Sequence, residues 1–341
     1  MKRDLPAPRT NFETGKIPPQ VLTRSVYPYL GKRSKRVVLG PGIGRDAAIV
    51  NFDKRVLVFS TDPITGASKH IGAHAIHVNA NDIAVVGAVP LWFLCTTLVP
   101  PGTNESELRG IMREVDREAR KLGITVIGGH TEATHELKRP IIAGFMIGES
   151  KSGTYFTAEG AHEGDKLLMT KTAGIEGTAV LAADHSVLLK EKGVDAGTIK
   201  RALRFSEQIS IVKEASVASK TKGVTAMHDP TEGGVLNGLW ELAEASGKGI
   251  VVESDKIPIA SETRTISDAL KLDPLKLLGS GSLVIAVAAR MKATVKATLN
   301  RTGIRATEIG RFTRKDQGRL IIRGSRTRAL TAVYRDELYK I

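Results

Sequence analysis

The chain has 341 residues, which is long enough for two domains with cores of their own. No apolar run approaches the ~20 residues that span a bilayer, and the N-terminus lacks an apolar signal core, so we expect a cytoplasmic protein that does not enter a membrane. The formal net charge is +14, but the basic residues are spread along the chain and only 4% of residues are aromatic, which disfavours a nucleic-acid-binding protein. The single cysteine, Cys95, excludes an intramolecular disulfide.

The first half of the chain reads as a leader followed by one α+β unit. Residues 1–36 are rich in proline and basic residues and show weak periodicity. After this leader the apolar patterns predict strands at 37–39, 47–51, 55–60 and 91–99, helices at 70–87 and from Asn104 or Ser106 to Lys121, a strand in "GITVIGG" that ends in a glycine-rich loop, and a strand in "PIIAGFMIGES". This order predicts a first domain at 37–150.

A polar, glycine-containing stretch, "KSGTYFTAEGAHEGD", predicts the boundary to the second half. The elements predicted beyond it are strands at 166–170, 224–227, 249–253, 282–288 and 319–323, and helices from Thr178 and at 196–219, 233–246, 261–270 and 291–301. We therefore predict an α+β fold class overall, with a second domain of the α/β kind at 160–330.

Residues 38–48, "VLGPGIGRDAA", contain a G-x-G-x-x-A pattern formed by Gly42, Gly44 and Ala47. A dinucleotide-binding turn needs a helix directly after it, because the helix N-terminus receives the pyrophosphate. The residues that follow are instead β-branched and alternate around a turn in "NFDKR", which predicts a hairpin. No GxxxxGK[ST] loop occurs in the chain either, so neither of these two phosphate-binding modes is favoured.

Four aspartates stand at strand ends or on the helix beside them. The predicted hairpin places Asp46 at the start of one strand and Asp62 at the end of the next. Asp82 lies on the following helix, one turn after Asn79, and Asp229 stands in "MHDPTEGG" before a Gly-Gly turn. Each acid alone would fit a cap or a turn. Carboxylates gathered at loop ends without clustered Cys or His suit a hard cation such as Mg²⁺ and the phosphates that it binds.

Six motifs occur in an order and spacing that resemble a known superfamily. They are "GIGRDAAIV", "STDP", "HVNANDIAVVGAVP", "GGHTE", "HDPTEGGV" and "GSGSLVIAV". The superfamily contains aminoimidazole ribonucleotide (AIR) synthetase, the hydrogenase-maturation protein HypE, selenophosphate synthetase and thiamine-monophosphate kinase, and the chain is most similar to a HypE-like, AIR synthase-related branch. The resemblance implies a two-domain PurM-like ATP-binding fold, whose N-terminal half pairs across a homodimer into a β-barrel and whose C-terminal half is α/β.

The resemblance also implies roles for individual residues. It assigns Mg²⁺ binding to Asp46, Asp62, Asp82 and Asp229, and contact with the nucleotide to Asn79 and to the segment Gly128, Gly129, His130, Thr131 and Glu132. The loop at 170–179 would face the acceptor substrate. Gly44 would let the backbone pass close to the nucleotide or to the dimer partner. Arg45 stands where many relatives have an acid, so it would lower the metal count or contact a phosphate.

The chain departs from the relatives at the residues that those proteins use as nucleophiles. HypE uses a C-terminal cysteine as its carbamoyl acceptor, whereas this chain ends in "DELYKI". Selenophosphate synthetase uses an N-terminal cysteine or selenocysteine, and none precedes Cys95. Cys95 itself lies in an apolar strand, which favours a buried thiol over a nucleophile. We therefore expect neither reaction on this polypeptide.

Three further residues are candidates for catalysis, each with a structural alternative. His228 would orient its loop or contact the substrate, and a structural histidine with its hydrogen bonds satisfied is the alternative. Glu232 would act as a base or as an acid at the positive end of a helix. Lys171 would touch a phosphate or lie in solvent.

Three histidines share one face of the predicted helix at 70–87. They are His70, His74 and His77, spaced i, i+4, i+7, which could hold Zn²⁺. An ordinary helix surface or interface is the alternative that we favour, because the sequence shows no fourth ligand.

These observations lead to one functional prediction and two alternatives. We predict an ATP-dependent enzyme in which Mg²⁺ assists phosphoryl transfer to an amide, carboxylate or phosphate oxygen of a small-molecule acceptor. A kinase similar to thiamine-phosphate kinase is the enzymatic alternative. A maturation or scaffold protein that binds ATP without turnover, acting with a partner protein, is the alternative of another class.

Overall fold

The computed structural model describes Thr14, residues 16–151 and residues 153–341. The first half contains β1 (Val37–Leu39), β2 (Ala48–Phe52), β3 (Arg55–Ile64), β4 (Val89–Val99), β5 (Thr125–Ala133) and β6 (Ile141–Lys151), with α1 (Pro19–Ser25), α2 (Ile71–Val85) and α3 (Glu105–Leu122). The second half contains β7 (Lys166–Thr170), β8 (Val224–His228), β9 (Gly249–Glu253), β10 (Val284–Val287), β11 (Ala306–Thr313), β12 (Arg319–Arg323) and β13 (Arg326–Ala329). Its helices are α4 (Ile175–Asp184), α5 (Ser186–Glu191), α6 (Ala196–Leu203), α7 (Val212–Ser219), α8 (Gly234–Ser246), α9 (Ser261–Leu270) and α10 (Lys292–Arg301). Within these described residues, no helix combines the length and the apolar character that a membrane crossing requires.

The first sheet has the strand order β1-β2-β3-β6-β4-β5, with β4 and β5 parallel and the other neighbours antiparallel. Helix α2 lies against this sheet and is buried along its whole length, including its polar residues His74, His77, Asn79, Asn81 and Asp82. Helix α3 is amphipathic and covers α2 from outside. Its start is fixed by a capping box between Asn104 and Glu107, so Asn104 and not Ser106 is the cap, and its end by Gly123 at φ +70°.

The second sheet has the order β13-β12-β9-β11-β7-β10-β8, in which β9 and β12 are parallel. One hydrophobic core runs through both halves, from Ile49 and Ile83 to Leu168 and Ile285. Asn81 of α2 adds a polar connection, because its side-chain amide donates to Ile209 O (2.9 Å) and its Oδ1 accepts from Ile211 N (2.8 Å). The loops at the junction of the halves are therefore held in fixed positions. The domain limits at 37–150 and 160–330 stay a prediction.

The structure corrects several sequence predictions. The segment at 196–219 is not one helix, because α6 ends at Leu203 and a 3₁₀ turn at Arg204–Gln208 precedes α7. The strand β11 was not predicted, because its sequence "ATEIGRFT" contains a glycine at its centre. Gly310 packs there against the Val251 carbonyl. The glycine-rich segment at 128–132 lies inside β5 and is not a loop. In the predicted leader, α1 is helical; residues 1–13 and 15 lie outside the described residues.

The histidines of α2 do not form a zinc site. Each pairs with a different glutamate, in the pairs His70–Glu114 (3.1 Å), His74–Glu176 (3.3 Å) and His77–Glu118 (3.2 Å). They therefore link α2 to α3 and to α4, which is the interface role that we favoured. Cys95 is buried, as predicted, and burial raises the pKa of its thiol, so it is suited to packing and not to nucleophilic attack.

Candidate functional site

The acidic cluster predicted from the sequence forms at the junction of the two halves. Ligand atoms of Asp46, His228 and Asp229 lie within 4.8 Å of one another, and no other group of this kind occurs in the part of the chain that the structure describes. Asp62 and Asp82 complete the cluster from β3 and α2. Burial, and after it the charges of Asp62, Asp229 and Asp46, raises the pKa of Asp82 well above its usual value. The structure therefore brings all four aspartates together.

Asp229 is the least accessible to water of the four aspartates. Its side chain is 1% accessible, and neither carboxylate oxygen has a hydrogen-bond partner. Burial and the charge of Asp46 raise its pKa well above the usual value, although His228 opposes the shift. By comparison, Asp82 accepts a hydrogen bond from the Ser60 hydroxyl. Buried carboxylate oxygens without partners, facing other carboxylates, are the ligands that a hard divalent cation requires, so these residues fit Mg²⁺.

His228 bridges two acids from opposite sides of the site. Its Nδ1 lies 2.8 Å from Asp46 Oδ2 and its Nε2 lies 3.1 Å from Glu241 Oε2. Burial opposes protonation, but the two carboxylates outweigh it and raise the pKa of the imidazole well above 6.5. Both ring nitrogens therefore lie within hydrogen-bond distance of a carboxylate of the protein. Of its two predicted roles, the geometry favours that of orienting the loop.

Two charged residues of the site were missed in the sequence. Lys16, in the leader, places Nζ 3.4 Å from Glu241 Oε1 and 3.4 Å from Thr231 Oγ1. Burial opposes ionisation of Glu241, but Lys16 and His228 lower its pKa to about 2. Glu241 stands four residues after Asn237 on one face of α8, and Asn237 Nδ2 donates to its Oε1 (3.1 Å), a spacing that could have pointed to it.

Two cavities meet at the acidic cluster. The larger, about 670 Å³, lies between the leader, the glycine loop at 42–46 and α8, and Ile43 and Trp240 contribute apolar surface to it. The smaller, about 270 Å³, lies between β3, the start of α4 and the loop before α8. Both have Lys16, Asp62 and Pro63 in their walls. A ligand in one cavity would therefore lie next to a ligand in the other, with Asp62 between them.

Arg45 and Gly44 fix the glycine loop against the second half. Arg45 Nε lies 2.6 Å from Glu159 Oε1 and its Nη1 donates to Gly40 O (3.0 Å), while its side chain lines the larger cavity. Gly44 has φ +69°, and a Cβ there would lie 2.8 Å from the carbonyl oxygen of Glu241. The glycine pattern therefore allows a close approach to α8, and this approach holds the neighbouring Asp46 at the site.

We expect Gly44→Ala to destabilise the protein by about 2–4 kcal/mol, because it adds a steric clash with α8 to the cost of a positive φ. Gly102→Ala is the matched control: its φ is +89° and no atom lies within 4 Å of the added Cβ, so it reports the backbone cost alone, about 1 kcal/mol. Urea unfolding measures both. Equal losses for the two variants would contradict close packing at Gly44.

The remaining predicted residues divide into several groups. Asn79 is buried; its Oδ1 accepts from Asp62 N (2.9 Å) and its Nδ2 donates to Ala75 O (2.9 Å), so it holds β3 at Asp62.

Glu232 lines the smaller cavity, and its Oε1 is buried without a partner. No side chain caps α8, which disfavours the helix-cap alternative for Glu232. The segment at 128–132 is exposed on the edge strand β5 and lines neither cavity, so its contact with a nucleotide stays a prediction.

The phosphate contact predicted for Lys171 stays a prediction, which the observed contacts of its side chain disfavour. Its ammonium donates to Gln208 O (2.8 Å) and Ser210 O (2.7 Å) and pairs with Glu214 Oε1 (2.9 Å). These three partners use its three protons. Lys171 therefore holds the segment before α7 in place, a long-range contact that the local sequence does not reveal.

Comparison with known proteins agrees with this architecture. The family model described as "AIR synthase related protein, N-terminal domain" matches residues 44–150, and the corresponding C-terminal domain model matches residues 162–323. A Methanocaldococcus jannaschii protein named as a hydrogenase expression/formation protein is 31% identical over 249 residues, which cover 71% of each chain. The carbamoyl dehydratase HypE of Bradyrhizobium diazoefficiens is 28% identical over 269 residues, covering 76% of this chain and 74% of that protein.

Solved structures show the same fold. Escherichia coli HypE superposes with a TM-score of 0.70 at 27% identity, over 82% of this chain and 86% of that one. A HypE in complex with ATP gives a TM-score of 0.70 at 18% identity, over 94% and 95% of the two chains. A HypE–HypF complex gives 0.73 at 19% identity, over 92% and 99%. The chain therefore belongs to the AIR synthase-related family, has its PurM-like fold and is similar to the HypE proteins.

Proposed function

We propose that this protein binds ATP with Mg²⁺ and transfers the terminal phosphoryl group to a small-molecule acceptor. The observation that carries the proposal is the buried, unpartnered carboxylate of Asp229 in an acidic cluster where two cavities meet. A HypE relative that binds ATP, and others named as carbamoyl dehydratases, support ATP-dependent chemistry on this fold. The identity of the acceptor is not fixed by any of them.

The larger cavity would hold the nucleotide. Its apolar wall, with Ile43 and Trp240, suits a base and a ribose, and its inner end reaches Asp46 and Asp62. Asp46, Asp62, Asp82 and Asp229 would hold Mg²⁺, which supplies charge neutralisation at the terminal phosphates. The Lys16 ammonium lies beside both cavities and would add a positive charge there.

The chain's own residues would orient the reacting groups for an in-line displacement. An oxygen of the acceptor, in the smaller cavity, would form a bond to the γ-phosphorus while the bond from that phosphorus to the β–γ bridging oxygen breaks. ADP leaves with the electron pair of the broken bond. His228 and Asn79 would contribute by holding Asp46 and the backbone of Asp62, and not by contact with the reacting atoms.

Hydrolysis of ATP tests this proposal. We expect Asp62→Ala to lower Mg²⁺-dependent ADP formation by about 10²-fold, because Asp62 lies in the wall that both cavities share. Asp116→Ala, on the outer face of α3, should leave the rate unchanged. Chelation of Mg²⁺ should abolish the rate of the wild type.

The result also separates the alternatives. ATP binding without ADP formation, with amides, carboxylates and phosphates as acceptors, would indicate a scaffold role instead of an enzyme. A stable product phosphorylated on a phosphate group would indicate the kinase alternative. The HypE–HypF complex supports a maturation partner for the scaffold role, which co-purification with such a partner would test.

We also propose that the protein forms a homodimer through the face of the first sheet opposite α2. Phe59 and Phe145 stack there with ring centroids 6.1 Å apart, Trp92 is partly exposed on the same face, and no described residue covers them. Strand β5 adds a nine-residue edge whose outer backbone groups have no partner strand within the described chain. An uncovered apolar face beside a long open edge favours pairing with a second copy.

We expect Phe145→Glu to convert a dimer into a monomer, because it places a charge in the apolar interface. Light scattering coupled to size exclusion would show a wild-type mass twice the 36.6 kDa of the chain and a variant mass of one chain. Val187→Glu, on the exposed surface of α5, is the control and should stay dimeric. A monomeric wild type at micromolar concentration would contradict the interface.

A further inference from the structure

The smaller cavity has a chemical character different from that of the larger one. Its polar wall consists of the carboxylates of Asp62, Glu176 and Glu232, the hydroxyl groups of Thr65, Thr231, Ser280 and Tyr339, and the ammonium of Lys16. Two of these groups are buried without a hydrogen-bond partner, the Ser280 hydroxyl and Glu232 Oε1. Ser280 is only 1% exposed, so neither the chain nor bulk solvent satisfies its hydroxyl group. The cavity therefore offers hydrogen-bonding capacity that only a ligand or trapped water would use.

Among the described residues that line this cavity, three are acidic and one is basic. Lys16, its one cation among the described lining residues, lies 3.4 Å from Glu241 Oε1 outside the cavity and so is shared with that acid. Glu176 is buried, and its Oε1 lies 3.3 Å from His74 Nδ1 across the interface of the halves. Glu232 adds a second carboxylate at the opposite loop. A negative, hydrogen-bond-accepting cavity attracts N–H groups that have a positive charge and repels anions.

We propose that the smaller cavity recognises a positively charged nitrogen group of the acceptor substrate, such as an amine or an amidine, with Glu232 and Ser280 as the recognising residues. This proposal rests on the proposed function and narrows its acceptor to small organic cations. The volume of about 270 Å³ admits a small head group, not a second nucleotide. Because Asp62 stands in both walls, a bound head group holds the rest of its molecule next to the acidic cluster.

Three molecules of the same shape and different charge test the proposal without any turnover. Acetamidinium, acetamide and acetate each have one methyl group on a planar head, and saturation-transfer NMR detects binding through that methyl group. We expect acetamidinium to bind the wild type, acetamide to bind more weakly and acetate not to bind, with Mg²⁺ in excess to occupy the acidic cluster. Binding of acetate as tight as that of acetamidinium, or no binding of acetamidinium, overturns the proposal.

Variants then locate the binding. Glu232→Gln and Ser280→Ala should each weaken the binding of acetamidinium by about tenfold, because each substitution removes or weakens one hydrogen bond to the charged group. Ser267→Ala is the matched control: Ser267 is also buried with an unpartnered hydroxyl, but it lies on α9 and does not line the cavity. Thermal unfolding confirms that each variant is folded. Unchanged affinity in both cavity variants would place the cation elsewhere and overturn the proposal.

The outcome is independent of the ATP assay. Acetamidinium binding that depends on Glu232, in a protein that forms no ADP, would leave the cavity assignment intact and contradict the proposed phosphoryl transfer. Mg²⁺-dependent ADP formation without acetamidinium binding would support the phosphoryl transfer and contradict the cavity assignment.

Discussion

Asp229→Asn is expected to make the metal-free protein more stable while it abolishes the Mg²⁺-dependent chemistry. The native carboxylate is buried without a partner and faces other acids, which raises its pKa and costs free energy whenever it is ionised. An asparagine removes the charge, and its amide would donate to the neighbouring carboxylates. We expect a gain of about 1–3 kcal/mol in the free energy of unfolding with a chelator present, and a fall of about 10³-fold in ATP hydrolysis with Mg²⁺.

Asp165→Asn provides the control for this experiment. Asp165 is also buried, but its Oδ2 accepts from His162 N (2.9 Å) and from the Thr225 hydroxyl (2.6 Å), so its charge is satisfied. The same chemical change there should destabilise the protein and leave ATP hydrolysis intact. Urea unfolding and an ADP assay measure both properties. A loss of stability in metal-free Asp229→Asn would contradict a site built for a cation.

His228→Ala is expected to cost about 3–5 kcal/mol of stability, the typical loss when one member of a buried ion pair is removed. The imidazolium is 3% exposed and is the common donor to Asp46 and Glu241. Without it, two largely buried carboxylates face each other with Lys16 alone to balance them. ATP hydrolysis should fall as well, because Asp46 loses the contact that orients it.

The control for His228 is a histidine in a solvent-exposed pair. His162 is 73% exposed and its Nδ1 lies 3.7 Å from Asp165 Oδ2, so His162→Ala should cost less than about 1 kcal/mol. Differential scanning calorimetry compares the two variants. A small loss in His228→Ala would show that Asp46 and Glu241 find other partners and that the bridge is not a structural requirement.

The sequence predicted the local features of the site more completely than its long-range contacts. The hairpin and helix that position Asp46, Asp62 and Asp82 follow from apolar alternation and turn residues, so their proximity was predictable. Lys16 and Glu241 meet across 225 residues of chain, and no local pattern indicates that contact. The observed partners of Lys171 were missed for the same reason, since they lie about forty residues further along. A lysine beside a glycine turn has no local feature that separates a phosphate ligand from a structural donor.

Most strands of the fold could be predicted from the sequence, and the missed strand has a physical explanation. The central strands are runs of apolar residues, so β3, β4, β6 and β7 were predicted close to their observed limits. Strand β11 was missed because Gly310 interrupts its apolar residues Ile309 and Phe312, at a position packed against the Val251 carbonyl. The nucleotide contact of the segment at 128–132 stays a prediction, because this exposed edge-strand segment lines neither cavity.

The hydrophobic core that contains Ile49, Leu168 and Ile285 couples the unfolding of the two halves. Separating the halves would expose apolar residues of both at once, and it would also break the contacts of Asn81 with Ile209 and Ile211. Each half therefore stabilises the other, and the two lose their structure cooperatively. A destabilising substitution in the core of the second half would therefore also displace Asp46 and Asp62, because these acids stay in place only while both halves are folded.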